Sequence, residues 1–277
     1  MGDEDIIQLR GVRKAFGANE VLRGVDLTVP AGATTVVIGP SGCGKSVLLK
    51  HIVGLLRPDD GEVIFDGEPV AAMSETELIA VRRRIGFVFQ GGALFDSMDV
   101  EHNVCFPLSQ HERLDRRQLA RRCRDCLRLV GLDGTQRTMS ADLSGGQKKR
   151  VALARAIIDE PDVILYDEPT TGLDPVRADL INELILKLQR ELRTTAVVVT
   201  HDLASARKVG DRIAMLYDGR IIAEASPDGL DRIADPTVRH FVEGRARPDE
   251  LRSLELGHAV NRKRGGNRSP KAEDENQ

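Results

Sequence analysis

Aromatic side chains are scarce in this sequence of 277 residues, which has no tryptophan, two tyrosines and seven phenylalanines. Neither sign of charge dominates, because 40 lysines and arginines stand against 43 aspartates and glutamates, for a net charge of -3. A dedicated nucleic-acid-binding domain usually combines an excess of basic residues with aromatic side chains that stack on bases. The composition therefore argues against nucleic acid as a partner.

Long apolar runs are also absent. Stretches such as Ala196–Val199 are short and are flanked by polar residues, well below the roughly 20 residues that a helix needs to span a bilayer. The first residues, Met1–Asp5, have neither the positive charge nor the apolar segment of a secretory signal. We therefore expect a cytosolic protein that crosses no membrane unaided.

Cysteines are few and scattered, at positions 43, 105, 123 and 126. This pattern does not suit a disulfide-rich scaffold and is typical of a reducing compartment. Cys123 and Cys126 have the spacing of a redox or metal pair, but no second pair accompanies them at zinc spacing and their surroundings are charged and helix-like. We interpret them as two thiols on the face of a helix.

Short apolar runs alternate with helix-compatible segments along the chain. The five strand signals are Thr34–Ile38, Gly86–Phe89, Val163–Tyr166, Ala196–Thr200 and Arg212–Leu216. Such alternation is typical of an α/β fold with a mainly parallel sheet covered by helices. With 41% hydrophobic residues, the chain can bury a sizeable core.

Three other segments depart from this alternation. Many arginines and leucines from residue 91 onward predict a helical subdomain over about 91–160, inserted in the α/β core. The pair Asp218-Gly219 between two strand signals predicts a tight hairpin, so an antiparallel ribbon closes the core. Apolar periodicity fades after residue 243, which predicts one domain over 1–243 and a polar, flexible tail over 244–277.

A phosphate-binding signal follows the first of these strand signals. Residues 39–46 fit the P-loop pattern G-x-x-x-x-G-K-S/T, with a strand before and a helix after. Glycines let backbone N–H groups turn towards phosphate oxygens, and the helix dipole favours an anion. In such a loop Lys45 reaches the β- and γ-phosphates and Ser46 ligates magnesium. The predicted nucleotide-binding residues are Gly39, Pro40, Ser41, Gly42, Cys43, Gly44, Lys45 and Ser46.

Two further expectations concern this segment. Apolar positions from Leu48 to Leu56 share one helical face, which predicts a helix that begins at Lys45 and stops before Pro58. The thiol of Cys43 lies beside Lys45 and a helix N-terminus, so we expect it to be acidic and reactive.

Two acids end the strand signal at Val163–Tyr166. Parallel strands meet at one sheet edge, so Asp167 and Glu168 should lie beside the P-loop. Asp167 then suits magnesium, directly or through water. Glu168 suits the base that orients the attacking water, because one carboxylate must stay free of the metal to accept a proton. The alternative is that the acids only begin a turn, and the nearby P-loop disfavours it.

The string Leu143-Ser144-Gly145-Gly146-Gln147 identifies the class of phosphate enzyme. Ser144 and Gln147 have capping-box spacing at the start of a helix running towards Ile158, whose first N–H groups would face an anion. A cap alone needs neither glycine, and the glycine pair lets the backbone approach a ligand closely. This string is the signature of ABC-type ATPases, and the sequence resembles that family over about residues 6–242.

The resemblance implies an α/β P-loop NTPase core with a mainly parallel sheet, an antiparallel β subdomain and a helical insertion, with ATP and Mg²⁺ as cofactors. Phe16 occupies the place of the aromatic that stacks on adenine, although a lone phenylalanine in a strand is often a core residue. Gln90 matches the glutamine that senses magnesium and the lytic water. Asp174 matches a loop that crosses between two subunits, and His201 matches the histidine that contacts the γ-phosphate.

The resemblance also implies a dimer, since one chain carries only one set of these motifs. Each ATP would lie between the P-loop of one subunit and Ser144, Gly145, Gly146 and Gln147 of the other. ATP would close the dimer and hydrolysis would reopen it. Without a membrane span of its own, the chain would dock on separate permease subunits at the cytoplasmic face of the inner membrane, beside Gln90 and the helical insertion.

The segment Phe89–Met98, with 103–108, resembles the Mce/Mla group of lipid-transport ATPases. This implies transport of phospholipid or a related lipid, with Mce-type substrate-binding proteins as possible partners. A polar amino-acid importer and a division-associated envelope regulator stay open, because residues 12–17 and 82–86 fit those relatives too. DNA-repair and ribosome-bound relatives fit worst, since this chain has one ATPase unit and no coiled-coil or zinc insertion. The polar tail departs from the family pattern.

Overall fold

The computed structural model describes residues 5–111 and 114–246, and the chain divides into two compact units, residues 1–232 and 233–277. The first unit carries the sheets and most of the helices. The described part of the second unit contains the helix α8 (Pro236–Val242). From residue 247 onward, the tail expected to be flexible lies outside the described residues.

The N-terminal part of the first unit forms a four-stranded antiparallel sheet. Its strands are β1 (Asp5–Phe16), β2 (Asn19–Pro30), β4 (Asp60–Phe65) and β5 (Glu68–Pro69), in the order β2-β1-β4-β5. The local sequence signals do not delimit these strands, because register shifts and charged residues interrupt the alternation along β1 and β2. The buried face of the sheet, with Ile7, Leu9 and Val12, belongs to the main hydrophobic core.

A six-stranded sheet forms the centre of the first unit. Its strands are β3 (Thr34–Ile38), β6 (Ile85–Val88), β7 (Val163–Asp167), β8 (Thr195–Thr200), β9 (Arg212–Tyr217) and β10 (Arg220–Ala225), in the order β10-β9-β3-β8-β7-β6. The neighbouring strands β9, β3, β8, β7 and β6 all pair in parallel. Strand β10 pairs antiparallel with β9 through the Asp218-Gly219 turn. The predicted mainly parallel sheet and hairpin are confirmed. All residues of β3, β7 and β8 are buried, as expected for strands covered on both faces.

Helices connect and cover these strands. They are α1 (Lys45–Ile52), α2 (Glu75–Arg83), α3 (Val100–His111), α4 (Arg116–Leu129), α5 (Gly145–Ile157), α6 (Pro175–Leu192) and α7 (Leu203–Val209), with short 3-10 turns at Val70–Ala72, Ser140–Asp142 and Leu230–Arg232. Helices α3, α4 and α5 pack on one another in the region expected to be a helical insertion. Among the described residues, no helix is long and apolar enough to span a bilayer.

Helix α1 is shorter than the apolar pattern predicts. It ends at Ile52 rather than just before Pro58. The cause is Gly54, whose φ of 66° is a left-handed conformation that commonly terminates helices. Leu55, which the pattern placed on the buried face, is 51% exposed.

Cys123 and Cys126 both lie on α4 and are buried and unpaired. Burial raises the pKa of the Cys126 thiol to about 12, the opposite of an activated redox thiol. In the parts of the chain that the structure describes, no cluster of three or more potential metal ligands occurs. The location of both thiols on α4 and their burial agree with the interpretation as helix-face thiols.

Candidate active site

The loop between β3 and α1 folds around the ammonium group of Lys45. Its Nζ donates hydrogen bonds to the carbonyl oxygens of Gly39 at 2.8 Å and Pro40 at 3.0 Å, and lies 3.6 Å from Oε1 of Glu168. Gly44, which precedes the helix, has a φ of 106°, and a Cβ there would lie 2.9 Å from the side chain of Leu22. Glycine is therefore needed for the loop to turn into α1.

The start of α1 meets the end of β7 at a hydroxyl–carboxylate pair. Ser46 Oγ donates a hydrogen bond to Asp167 Oδ1 at 2.8 Å. Burial raises the pKa of the Asp167 carboxyl, against the lowering effect of the Ser46 hydrogen bond. Oxygen ligands of this kind are those that Mg²⁺ prefers, and a bound cation would favour the ionised carboxylate. Both side chains therefore fit a magnesium site.

Glu168 follows directly and has a left-handed backbone, with a φ of 49°. Such a conformation is uncommon for a residue other than glycine and persists only where neighbouring structure holds it. Its Oε2 accepts a hydrogen bond from Thr171 Oγ1 at 3.0 Å and lies 2.9 Å from Nδ1 of His201. Because β7 and β8 are neighbours, the two residues meet at the same edge of the sheet.

A cavity of about 400 Å³ opens at this edge. It is lined by Phe16, Val21, Ser41, Gly42, Gly44, Lys45, Ser46, Val47, Gln90 and Glu168. Phe16 is 48% exposed, so it is not a core residue. An exposed aromatic, a buried lysine and two acids in one region are groups that can bind a base, phosphates and a metal ion.

The start of α5 is built differently. Ser144 and Gln147 form the predicted capping box: Ser144 Oγ accepts from the N–H of Gln147, and Gln147 Oε1 accepts from the N–H of Ser144 at 2.9 Å. Ser144 and Gly145 are exposed. Asp174 is exposed too and caps α6 by accepting from the N–H of Arg177 at 3.0 Å. Within the described residues, neither 144–147 nor Asp174 lines the P-loop cavity.

Comparisons with known proteins identify the family. The sequence profile of the ABC transporter family matches residues 22–171. This chain belongs to the ABC transporter family. As an ABC ATPase, it binds and hydrolyses ATP.

Individual relatives cover most of the chain. MlaF of Escherichia coli K12, named an intermembrane phospholipid transport system ATP-binding protein, is 41% identical over 87% of this chain and 89% of its own. The protein mkl of Mycobacterium tuberculosis H37Rv, named a probable ribonucleotide transport ATP-binding protein, is 40% identical over 86% of this chain and 67% of its own. The names of these two relatives refer to different transported molecules.

The fold is shared with solved ATP-binding cassettes. MJ0796, solved as a dimer bound to ADP and Pi, matches with a TM-score of 0.74 at 36% identity, over 80% of this chain and 98% of its own. The predicted ABC ATPase fold of this chain is therefore confirmed.

The thiol of Cys43 differs from its prediction. Burial raises its pKa, and the opposing effect of Lys45 is smaller. The expectation of an acidic, reactive thiol is wrong because removal from water outweighs the nearby positive charge.

Lys149 is a residue of this ABC ATPase that the sequence patterns miss. It lies on α5, is only 8% exposed, and donates hydrogen bonds to the carbonyl oxygens of Gln90 and Glu168. In the sequence it belongs to the basic run 148–150, a pattern that usually marks a solvated helix face. Only the packing of α5 distinguishes it from its neighbours.

Proposed function

We propose that this ABC ATPase powers the transport of phospholipid or a related lipid through separate permease chains. In this proposal it acts as a homodimer at the cytoplasmic face of the inner membrane, with Mce-type substrate-binding proteins as further partners. The observation that carries the proposal is the similarity to MlaF, which spans 87% of this chain and 89% of MlaF. The chain covers only 67% of mkl, so the resemblance to that relative is less complete in length.

A groove of about 520 Å³ beside the loop after β6 supports docking on a permease. Two phenylalanine pairs lie at it: the ring centroids of Phe87 and Phe89 are 4.2 Å apart, and those of Phe95 and Phe106 are 4.7 Å apart. Ile79 and Phe95 are more than 40% exposed. An exposed apolar groove of this kind suits the apolar face of a partner helix.

The residues of the site are assigned roles in hydrolysis under this proposal. Lys45 binds the β- and γ-phosphates, and Phe16 stacks on the adenine. Ser46 and Asp167 hold Mg²⁺ together with Gln90, and the ion, when bound, neutralises charge on the phosphates.

Proton transfer is assigned to the acid at the end of β7. Glu168 Oε2 accepts the proton of the attacking water, while Thr171 and His201 hold that oxygen in place. His201 also contacts the γ-phosphate in this assignment. Fixed positioning of this kind supplies most of the catalysis in phosphoryl transfer.

The second half of each site is assigned to the partner copy. Ser144, Gly145, Gly146 and Gln147 present an exposed helix N-terminus, which favours an anion such as the γ-phosphate of ATP bound by the other subunit. Asp174 lies in the segment proposed to cross between the subunits. ATP binding then closes the dimer and hydrolysis reopens it.

The test is to extract the Glu168→Gln protein from native membranes in the presence of ATP and to identify co-purifying chains and lipids by mass spectrometry. A multi-span permease with Mce-type partners and bound phospholipid or sterol would support the proposal. A peptidoglycan-linked partner without lipid would replace it with the division-regulator function, and a permease with bound amino acid would replace it with import. Extraction of Lys45→Ala controls for recovery that does not depend on ATP.

A further inference from the structure

Lys149 is a buried cation that the mechanism above does not use. Its Nζ donates hydrogen bonds to the carbonyl oxygen of Gln90 and, at 3.4 Å, to the carbonyl oxygen of Glu168. These two residues are the proposed magnesium sensor and the proposed general base. One ammonium group therefore joins the loop after β6, the end of β7 and helix α5.

The loop after β6 is held by α5 at a second place. Arg155, six residues further along the helix, donates hydrogen bonds to the carbonyl oxygens of Gly92 at 2.6 Å and Ala93 at 2.7 Å. The carbonyls of residues 90, 92 and 93 are thus all bound by side chains of α5. A movement of α5 would move Gln90 with it.

Burial of Lys149 is costly in free energy. Burial lowers the pKa of its ammonium group, with Asp167 and Glu168 opposing the shift. In the described parts of the chain, no carboxylate lies close enough to form an ion pair with it. Hydrogen bonds to two carbonyl oxygens offset the lost hydration of a buried ammonium group less fully than a paired carboxylate would. Stability alone therefore does not explain a lysine here.

We propose that Lys149 is a positioning residue for ATP hydrolysis, which fixes the backbones of Gln90 and Glu168 relative to each other and to the helix that begins at the signature segment. This inference rests on the roles proposed above for those two residues. Under those roles, Lys149 connects α5, whose start faces the ATP of the partner copy, to Gln90 and Glu168 in the site of its own chain. Loss of the link should affect turnover rather than ATP binding.

Three variants of the full-length protein test this, assayed for ATP hydrolysis in the membrane complex that it forms. Lys149→Met keeps the length of the side chain and removes both hydrogen bonds. We expect kcat to fall about tenfold or more, because small misplacement of reacting groups can cost up to about a hundredfold. We expect KM for ATP and the melting temperature to change little.

The conservative variant and the matched control follow the same logic. Lys149→Gln keeps a donor for the two carbonyls without the charge, so it should recover a clear part of the lost kcat. Lys148→Met removes a neighbouring lysine whose ammonium group forms a surface ion pair with Asp96 at 3.9 Å, so it should behave like the wild type.

Two results would overturn the inference. One is a kcat for Lys149→Met within about twofold of the wild type, a change too small for lost positioning. The other is a joint fall of kcat, ATP affinity and melting temperature without recovery in Lys149→Gln, which indicates a packing role. Glu168→Gln is measured beside them: if it hydrolyses ATP like the wild type, the proposed base is wrong, and if it is inactive while Lys149→Met is fully active, only the role of Lys149 is wrong.

Discussion

The P-loop region and the start of α5 both suit phosphate, yet they are built in opposite ways. At the P-loop, Lys45 and Glu168 are buried and hydrogen-bonded to their own chain. At α5, Ser144 and Gly145 are exposed and their bonds close only the helix cap. The first region is a pocket within one chain, whereas the second is a surface. In the proposed function, the pocket of one copy and the surface of the other together make one site.

The largest expected effect concerns the pocket. Glu168→Gln should bind ATP but hydrolyse it at least about a hundredfold more slowly, since a positioned general base contributes about 10²–10⁴-fold. Lys45→Ala should instead weaken ATP binding, because it removes the buried cation. Measuring kcat and ATP affinity for both variants separates chemistry from binding, and near-normal turnover of Glu168→Gln would refute the assignment of the base.

A second prediction uses the closed packing of the pocket. Gly44→Ala places a Cβ 2.9 Å from Leu22 at a φ of 106°, and such backbone strain costs about 1–3 kcal/mol. The free energy of unfolding, measured by urea denaturation, should fall by about that amount. Gly145→Ala is the matched control, because nothing lies within 4 Å of a Cβ at that position. Equal loss in the two variants would contradict the contrast between pocket and surface.

A negative charge at Gly145 tests the surface at the start of α5. Gly145→Asp finds open space, and an acid in the first turn of a helix is favourable by about 0.3–1 kcal/mol, so the melting temperature should not fall. A carboxylate facing the proposed position of the γ-phosphate should nevertheless lower ATP turnover about tenfold or more through like-charge repulsion. Normal turnover would exclude this surface from the site.

Mixing two impaired variants tests the two-copy site directly. In a dimer of Lys45→Ala with Gly145→Asp, one site combines an intact P-loop with an intact signature segment. An equal mixture with exchanging subunits should regain up to about a quarter of the wild-type sites. Each variant alone is the control. A mixture no more active than its components would place both halves of the site in a single chain.

The smallest expected effect is on the thiol in the P-loop. Because burial raises the pKa of Cys43, less thiolate is present near pH 8 than in an unperturbed cysteine, whose pKa is about 8.5. Alkylation of Cys43, followed by mass spectrometry of its peptide, should be slower near pH 8 than that of an unperturbed cysteine and should accelerate as the pH rises. Fast modification at neutral pH would instead support the expectation, made from the sequence, that the thiol is acidic. If ATP does not slow the alkylation, Cys43 lies outside the part of the P-loop that bound ATP shields from the reagent.

Local patterns were sufficient for the features that depend on neighbouring residues. The central strands, the Asp218-Gly219 hairpin and the Ser144 cap need only hydrophobic alternation, turn residues and capping spacing, and all three occur in the structure. The long strands β1 and β2 were not predicted from the sequence, because their register shifts depend on how the two strands pair with each other.

Tertiary packing decided the features that sequence patterns could not predict. The end of α1 depends on the backbone conformation of Gly54, the pKa of Cys43 depends on burial, and Lys149 looks like any surface lysine until α5 packs against the loop at Gln90. For the two side chains, the local sequence does not show how far folding removes the thiol and the ammonium group from water.

The left-handed backbone of Glu168 has an evolutionary consequence. A glycine there would adopt the same backbone conformation at no steric cost. The residue with the least backbone strain at this position therefore lacks the carboxylate of the proposed base. Selection for stability alone would therefore move the sequence towards an inactive protein. Under the proposed function, the glutamate at this position is kept at a cost in backbone strain, and cassettes of this fold that have lost hydrolysis are expected to carry glycine or asparagine there.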